Sequence, residues 1–297
     1  MNYEIMRFVC AFFVGCFLFT AGNLTQTVTQ NQLSSPSTLG FDGVVALIIL
    51  ICHLLITSLG ISHSLEFVSS AVFLIVFALL VLGLKVKNNN KQDFAVYLSD
   101  ILIMGVCFNL FVGGVFSLFY FFFLAKGLEF PSQLWFGNFK FVNFFYLCFL
   151  ALVFVAGLIY LKTHLKKLSA LNYGNDFSWN MGINPVPVIR RALLAAFLLS
   201  GVSYCFFGVF SFLGLLFPFF IRSLPYFRGD LGRQFYVGSL VCGFFLAFLD
   251  NAVFHLTFYG AEIPVGILST FLGPLLMILI IAVQKQSENV AKAPKNH

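Results

Sequence analysis

Charge is what this chain of 297 residues lacks: Asp, Glu, Lys and Arg make up 9% of it, against about 25% in a typical soluble domain. Hydrophobic residues reach 60%. A water-soluble fold of this size could not hide so much apolar surface, so lipid is the expected solvent. Metal-ligand spacing is missing as well. The five His include no H-E-x-x-H pair, the one-turn spacing that sets two imidazoles on a zinc ion. The seven Cys lie scattered inside apolar runs without a C-x-x-C pair, as small buried hydrophobes do. No G-x-x-x-x-G-K-S/T phosphate loop occurs, so the chain is not expected to bind and hydrolyse ATP by that route. The first apolar run, residues 8–21, lacks a convincing A-x-A cleavage site and reads as a retained helix. The formal charge of +6 does not indicate nucleic acid, because the basic residues sit between apolar runs rather than on one patch.

What is present is a series of long apolar runs. A hydrocarbon core of about 30 Å needs about 20 apolar residues per helix. On that rule spans fall near 5–22, 42–60, 65–84, 97–124, 141–161, 189–208, 235–257 and 263–283. A shorter piece at 210–221 contains Pro218 and reads as a short or broken helix, which is tolerated where protein buries it. The expected fold is therefore an all-α, polytopic transmembrane bundle of about nine segments over residues 1–284, with a polar, disordered tail at 285–297. Unbroken runs such as 192–199 argue against a β-barrel, whose strands alternate. The 42 Phe suit packing against lipid and between helices.

Lys and Arg set the orientation, because short cytoplasmic loops are enriched in them. Alternating the loops from an external N-terminus leaves Arg7, Lys126 and Lys140 on one side and the other fourteen of the 17 basic residues on the opposite one. The second side is expected to be cytoplasmic, and so is the C-terminus. The longest loop on that side, residues 162–191, mixes a basic start, Gly174, Gly182, Pro185 and Pro187. Loops of that length in a compact domain are usually functional, so this is the expected dock for a soluble partner.

Four segments carry a family resemblance. The first runs from Gly22 through Gln26, Asn31, Leu33, Pro36 and Leu39 to Gly40. It resembles G-x-x-x-Q-x-x-x-x-N-P-L-x-x-P-x-x-L-G, with Gln32 replacing the first proline. The second is Leu171-Asn172-Tyr173-Gly174, then Met181-Gly182-Ile183-Asn184, then Arg190, similar to L-N-x-x-x-L-G followed by L-G-V-N. The third, from Gly208 through Gly214 and Pro218 to Arg222, resembles G-x-I-x-F-V-G-L-I-V-P-H-I-x-R, with Phe219 for the His. The fourth, Glu262-Ile263-Pro264-Val265-Gly266 on to Gly273 and Pro274, resembles E-L-P-V-G-x-x-T-A-x-I-G-A-P. Weaker echoes are 102–105 and 135–137. Together these are similar, in order and over nearly the whole chain, to the FecCD/BtuC-type permeases of iron-siderophore and vitamin B12 ABC importers.

The resemblance implies a homodimer of membrane permeases in the cell inner membrane. A separate cytoplasmic ABC ATPase would drive it, and a periplasmic or lipid-anchored solute-binding protein would deliver an iron-siderophore, haem or cobalamin-type cargo. Leu171, Asn172, Gly174, Asp176, Trp179, Gly182, Asn184 and Arg190 would form the ATPase-coupling knob, two short helices at the membrane surface. Helices near 97–124 and 210–221 would line the path. No cofactor is implied. Two departures stand out. Residue 7 aligns with the start of the family's second helix, so the first is expected to be absent. Of the external arginines that meet the binding protein, only Arg7 is left, and Phe254 stands at another common Arg position. These departures keep a degenerate, non-transporting family member open. An ion-coupled secondary transporter would need several paired intramembrane acids or bases, yet Asp250 is the one good candidate, with helix-packing hydrogen bonding its expected role. A polytopic membrane enzyme would need clustered His, Asp or Glu at a surface, and none is evident.

Overall fold

The structure is a computed structural model that describes residues 3–59, 74, 91–127, 136–210, 212–258 and 261–292. Its elements are α1 (Tyr3–Thr29), α2 (Phe41–Leu59), α3 (Lys91–Ala125), α4 (Phe144–Asn172), α5 (Asn175–Asn180), α6 (Pro185–Phe207), α7 (Leu213–Ser223), α8 (Leu231–Phe254) and α9 (Val265–Lys292). A two-residue antiparallel pairing of β1 (Thr257–Phe258) with β2 (Ala261–Glu262) precedes α9. Among the described residues, α1, α4, α6, α8 and residues 102–125 of α3 are each long and apolar enough to cross a membrane. Residues 41–52 of α2, all of α7 and residues 265–280 of α9 form shorter apolar helices. This is a helical membrane protein. The span expected over 65–84 lies outside the described residues, as does Trp135.

The first apolar run is the centre of the bundle. α1 is packed against α8, α6, α7 and α4 and is buried from Val14 to Val28. Small residues allow that: a Cβ on Gly15 would stand 2.9 Å from the Gly243 Cα of α8. Close backbone approach at small residues replaces the hydrophobic drive that lipid cannot supply. Several hydroxyls on α1 bond within the helix itself. Thr20 and Thr27 donate back to the carbonyls one turn earlier, both at 2.7 Å. Lipid-facing surfaces are the reverse, with Leu152, Val155 and Ile159 of α4 exposed.

Contacts sort the two ends of the bundle as alternating loops require. At one end the Tyr3 hydroxyl donates to the Lys140 carbonyl at 2.7 Å, and Arg7 meets Glu262. At the other, the Gln30 amide donates to the Leu171 carbonyl at 3.0 Å, and Arg222 donates to Thr27 at 2.8 Å.

Three expectations change in detail. The loop expected to begin at residue 162 is helical at first: α4 continues to Asn172, and its 29 residues span about 43 Å at 1.5 Å per residue. That exceeds the bilayer core, so its last turns, with Lys162, Lys166 and Lys167, stand outside. The polar tail expected from 285 is helical through Lys292. The 210–221 piece is a composite rather than one helix. Its extended start pairs with 137–138, Val209 accepting from the Gly137 N–H at 2.9 Å, and α7, 11 residues long and about 16 Å, completes it.

Candidate functional site

The knob is built by two glycines that only glycine can replace without strain. α4 ends at Tyr173, and Gly174 takes φ 120°, ψ 153°, a region closed to side chains. Six residues of α5 follow, with Ser178 turned inward and its hydroxyl donating to the Gly174 carbonyl at 3.2 Å. Gly182, at φ 73°, turns the chain again. Asn184 then caps α6 by accepting from the Val186 N–H at 3.0 Å, and Pro185 fills the first turn, where no N–H is needed. Leu171 is fully buried and its carbonyl is tied to Gln30, so the knob is anchored to the end of α1. A Cβ at either Gly174 or Gly182 would meet nothing within 4 Å; backbone conformation, not space, demands glycine. Gly174→Ala is thus expected to weaken the local fold by about 1–3 kcal/mol. Hydrogen exchange should quicken at residues 172–184 and stay unchanged in α1.

Of the residues expected to couple, Asp176 is exposed, Asn172, Trp179 and Arg190 are half-buried, and Leu171 is inside. The outer tip is Tyr173, 67% exposed, with Phe177 and Met181 at 44% and 62%. Tyr173 and Phe177 pack ring on ring at 5.6 Å. Sequence reasoning passed over these three. Their trace was an aromatic, an aromatic and a Met at four-residue spacing in a loop with no core to face.

The first motif does not form a surface loop. After Thr29 the chain doubles back. A Cβ on Gly214 would lie 3.2 Å from Pro36 and 3.7 Å from the Leu18 carbonyl, so Pro36 sits two to three helical turns up α1 from its end. Ser34, Ser35 and Leu39 are buried. Irregular backbone at that depth must bond to protein, and it does. The Asn109 amide of α3 donates to the Ser37 carbonyl and its Oδ1 accepts from the Gly43 N–H at 3.0 Å. Asn31 stays exposed and accepts from the Leu33 N–H at 2.9 Å. Gly40, at φ 81°, lies against Gly105, and Gln26 donates to the Leu215 carbonyl at 3.3 Å. In the fourth motif, Pro264 directly precedes α9, and the Gly266 N–H bonds the Gly137 carbonyl at 2.7 Å.

At the opposite end Arg7 corrects an expectation. It is 4% exposed. Nε and Nη2 donate to the two oxygens of Asp250 at 2.7 and 3.0 Å, and Nη1 donates to Glu262 at 2.8 Å. The Phe254 ring covers the guanidinium at 4.6 Å. A group so fully engaged is not presented to a docking partner. It joins α1, α8 and the β2 turn. Asp250 is 1% exposed, and its partner is a charge rather than a neutral donor.

Comparison with known proteins agrees with this architecture. The profile of the FecCD transport family matches residues 1–283. The vitamin B12 import system permease protein BtuC of Vibrio cholerae is 27% identical over 94% of this chain and 81% of its own length. The iron-uptake system permease protein FeuB of Bacillus subtilis is 26% identical, covering 93% and 80%. The hemin transport system permease protein HmuU of Yersinia pestis is also 26% identical, covering 96% and 84%. The fold superposes on an inward-facing metal-chelate type ABC transporter with a TM-score of 0.73 at 20% identity, over 93% of this chain and 86% of that one. With motifs, bundle and profile in agreement over nearly its whole length, the chain belongs to the FecCD transport family.

Proposed function

We propose that this chain is the membrane-spanning permease subunit of an ABC importer for an iron-siderophore, haem or cobalamin-type cargo, working with a separate cytoplasmic ATPase and a solute-binding protein. The observation that carries this is the knob: a glycine-bounded helical tip, anchored to α1, at the end of the bundle that collects most of the basic residues. Relatives named as B12, iron and hemin import permeases supply the cargo class. The basic bias favours a cytosolic knob and C-terminus, with the chain in the cell (inner) membrane. Closure of the ATPase would push on Tyr173, Asp176, Phe177 and Met181, and the anchor at Leu171 passes that motion to α1.

The second subunit is a copy of this chain. Among the described residues, α3 packs chiefly on α2, and its Met104, Leu110, Phe111 and Phe121 are exposed. A second α3 across a twofold axis would cover that face and enclose the path between the copies. With Arg7 engaged internally, the binding protein docks through other groups at that end.

The test is the reconstituted complex. Asp176→Ala combined with Gly182→Ala is expected to lower cargo-stimulated ATP hydrolysis by roughly 5- to 150-fold, the span of a 1–3 kcal/mol coupling. The bundle itself should stay folded, since Asp176 is exposed and the strain of Gly182→Ala is confined to the knob. Unchanged stimulation in a folded double variant would defeat the assignment.

A further inference from the structure

α4 outruns the bilayer core, and its exposed face changes character where it does so. Leu152, Val155 and Ile159 are 68%, 54% and 59% exposed. At steps of three and four residues they form one lipid-facing stripe. The next two positions on that stripe are Lys162 and Lys166, both exposed. Counted from Phe144, where the helix begins, they fall about 27 and 33 Å along it at 1.5 Å per residue. A hydrocarbon core of about 30 Å puts Lys162 at its edge and Lys166 in the headgroup layer. Lys166 leans back toward Lys162, because helical side chains tilt toward the N-terminus. A third cation comes from α6. A Cβ on Gly157 would lie 3.5 Å from Leu199, and the Tyr146 ring packs on Phe206 at 4.8 Å. These pairings fix an antiparallel register. Carried along both helices, the first sets Arg191 level with Leu165 and the second sets it level with Leu161. Arg191 is exposed and its charge acts on Tyr160 of α4, as that register requires. Among the described residues, no carboxylate pairs with Lys162, Lys166 or Arg191.

We infer that Lys162, Lys166 and Arg191 hold the headgroup of an anionic phospholipid whose acyl chains lie along Leu152, Val155 and Ile159. The apolar stripe and the charges are one surface. Their depths match the tail and the headgroup of a single molecule. A free phosphate would meet these side chains in open water, where screening leaves exposed charges little attraction. A lipid is held beside them by its tails, so the same charges act at close range. Net charge then sets the preference. A zwitterionic headgroup carries its own cation, whereas an anionic one lets each Lys or Arg near the surface contribute. This reading rests on α4 crossing a bilayer and not on the importer assignment.

The experiment is native mass spectrometry of the full-length protein in detergent, titrated with dioleoyl phosphatidylglycerol. Lys162→Gln combined with Lys166→Gln should weaken binding about 25-fold, and Arg191→Gln about fivefold, at roughly fivefold per charge. All three positions are exposed, so the variants should unfold at the parent's temperature when no lipid is added. Arg228→Gln is the control. It removes one exposed charge from the same end, where Arg228 donates to the Ser223 carbonyl just after α7, and it should leave the affinity unchanged. Dioleoyl phosphatidylcholine should bind more weakly than the anionic lipid, and glycerol phosphate should not displace that lipid. Equal binding of the two lipids would mean that tails alone are recognised. Displacement by glycerol phosphate would make this a soluble-anion site. A loss in Arg228→Gln equal to that in Arg191→Gln would reduce the effect to diffuse charge. Each of those three results overturns the inference.

Discussion

Asp250→Ala is expected to destabilise the protein by about 3–5 kcal/mol, the usual consequence of removing one partner of a buried ion pair. The loss is not the worth of the pair. It is the cost of leaving the Arg7 guanidinium, 4% exposed, with two of its three bonds gone. The Phe254 ring covers the guanidinium as well. Glu262 keeps one bond to Arg7, but its side chain is 34% exposed, so solvent weakens what it can offset. Removing both charges, as Arg7→Met with Asp250→Leu, should recover most of the loss, since buried pairs are often replaceable by apolar groups of similar volume. Unfolding of purified protein in detergent, followed by temperature or denaturant, decides this. If Asp250→Ala unfolds within about 0.5 kcal/mol of the parent, an ordinary surface substitution, the triad does not hold α1 to α8.

The contrast between this triad and the helices shows what a sequence discloses. The helices were legible because the bilayer sets a length, and an apolar run of that length is visible in one dimension. The turns of the knob were legible because glycines at 174 and 182 suit sharp turns, but the resemblance implied two short helices there and the structure has one, α5. Arg7 and Asp250 lie 243 positions apart, and no periodicity links them. Arg7 therefore read as a surface charge left over from a docking set, and Asp250 as a lone intramembrane acid. Helix ends were misplaced for a physical reason too. The span expected to stop at residue 161 ends at Asn172 because Lys162, His164 and Lys166 end the lipid-compatible stretch without ending the helix. The 31–40 segment was legible as a motif but not as buried backbone, since its Asn, Ser and Pro residues would equally suit a polar loop. Only the opposing α3 and α7 backbones, contributed by residues 105–109 and 214, reveal that it is buried.

Gly22→Ala is expected to cost about 3 kcal/mol, the upper end for overpacking, and to be the most damaging methyl group that could be added to α1. The reason joins two family motifs. Pro218 of α7 has no N–H, so the Gly214 carbonyl one turn before it cannot make its ordinary helical bond. That carbonyl oxygen occupies the place where a Cβ on Gly22 would stand, and the Pro218 ring is 2.9 Å from the same point. Both obstacles are backbone or ring atoms, so neither can rotate away as a side chain would. The gap left open at Gly22 thus accommodates a carbonyl that Pro218 releases. Gly214→Ala should cost less, because its nearest neighbour is the Pro36 ring at 3.2 Å, a contact that a small shift can relieve. The decisive measurement is a double-mutant cycle in unfolding free energy. Pro218→Ala restores a donor at position 218 and lets the Gly214 carbonyl turn back into its own helix. The two changes together should then cost at least about 0.5 kcal/mol less than their sum, beyond the scatter of independent sites. Strict additivity would mean that the glycine and the proline answer to separate constraints and that the α1–α7 crossing is not built on this one carbonyl.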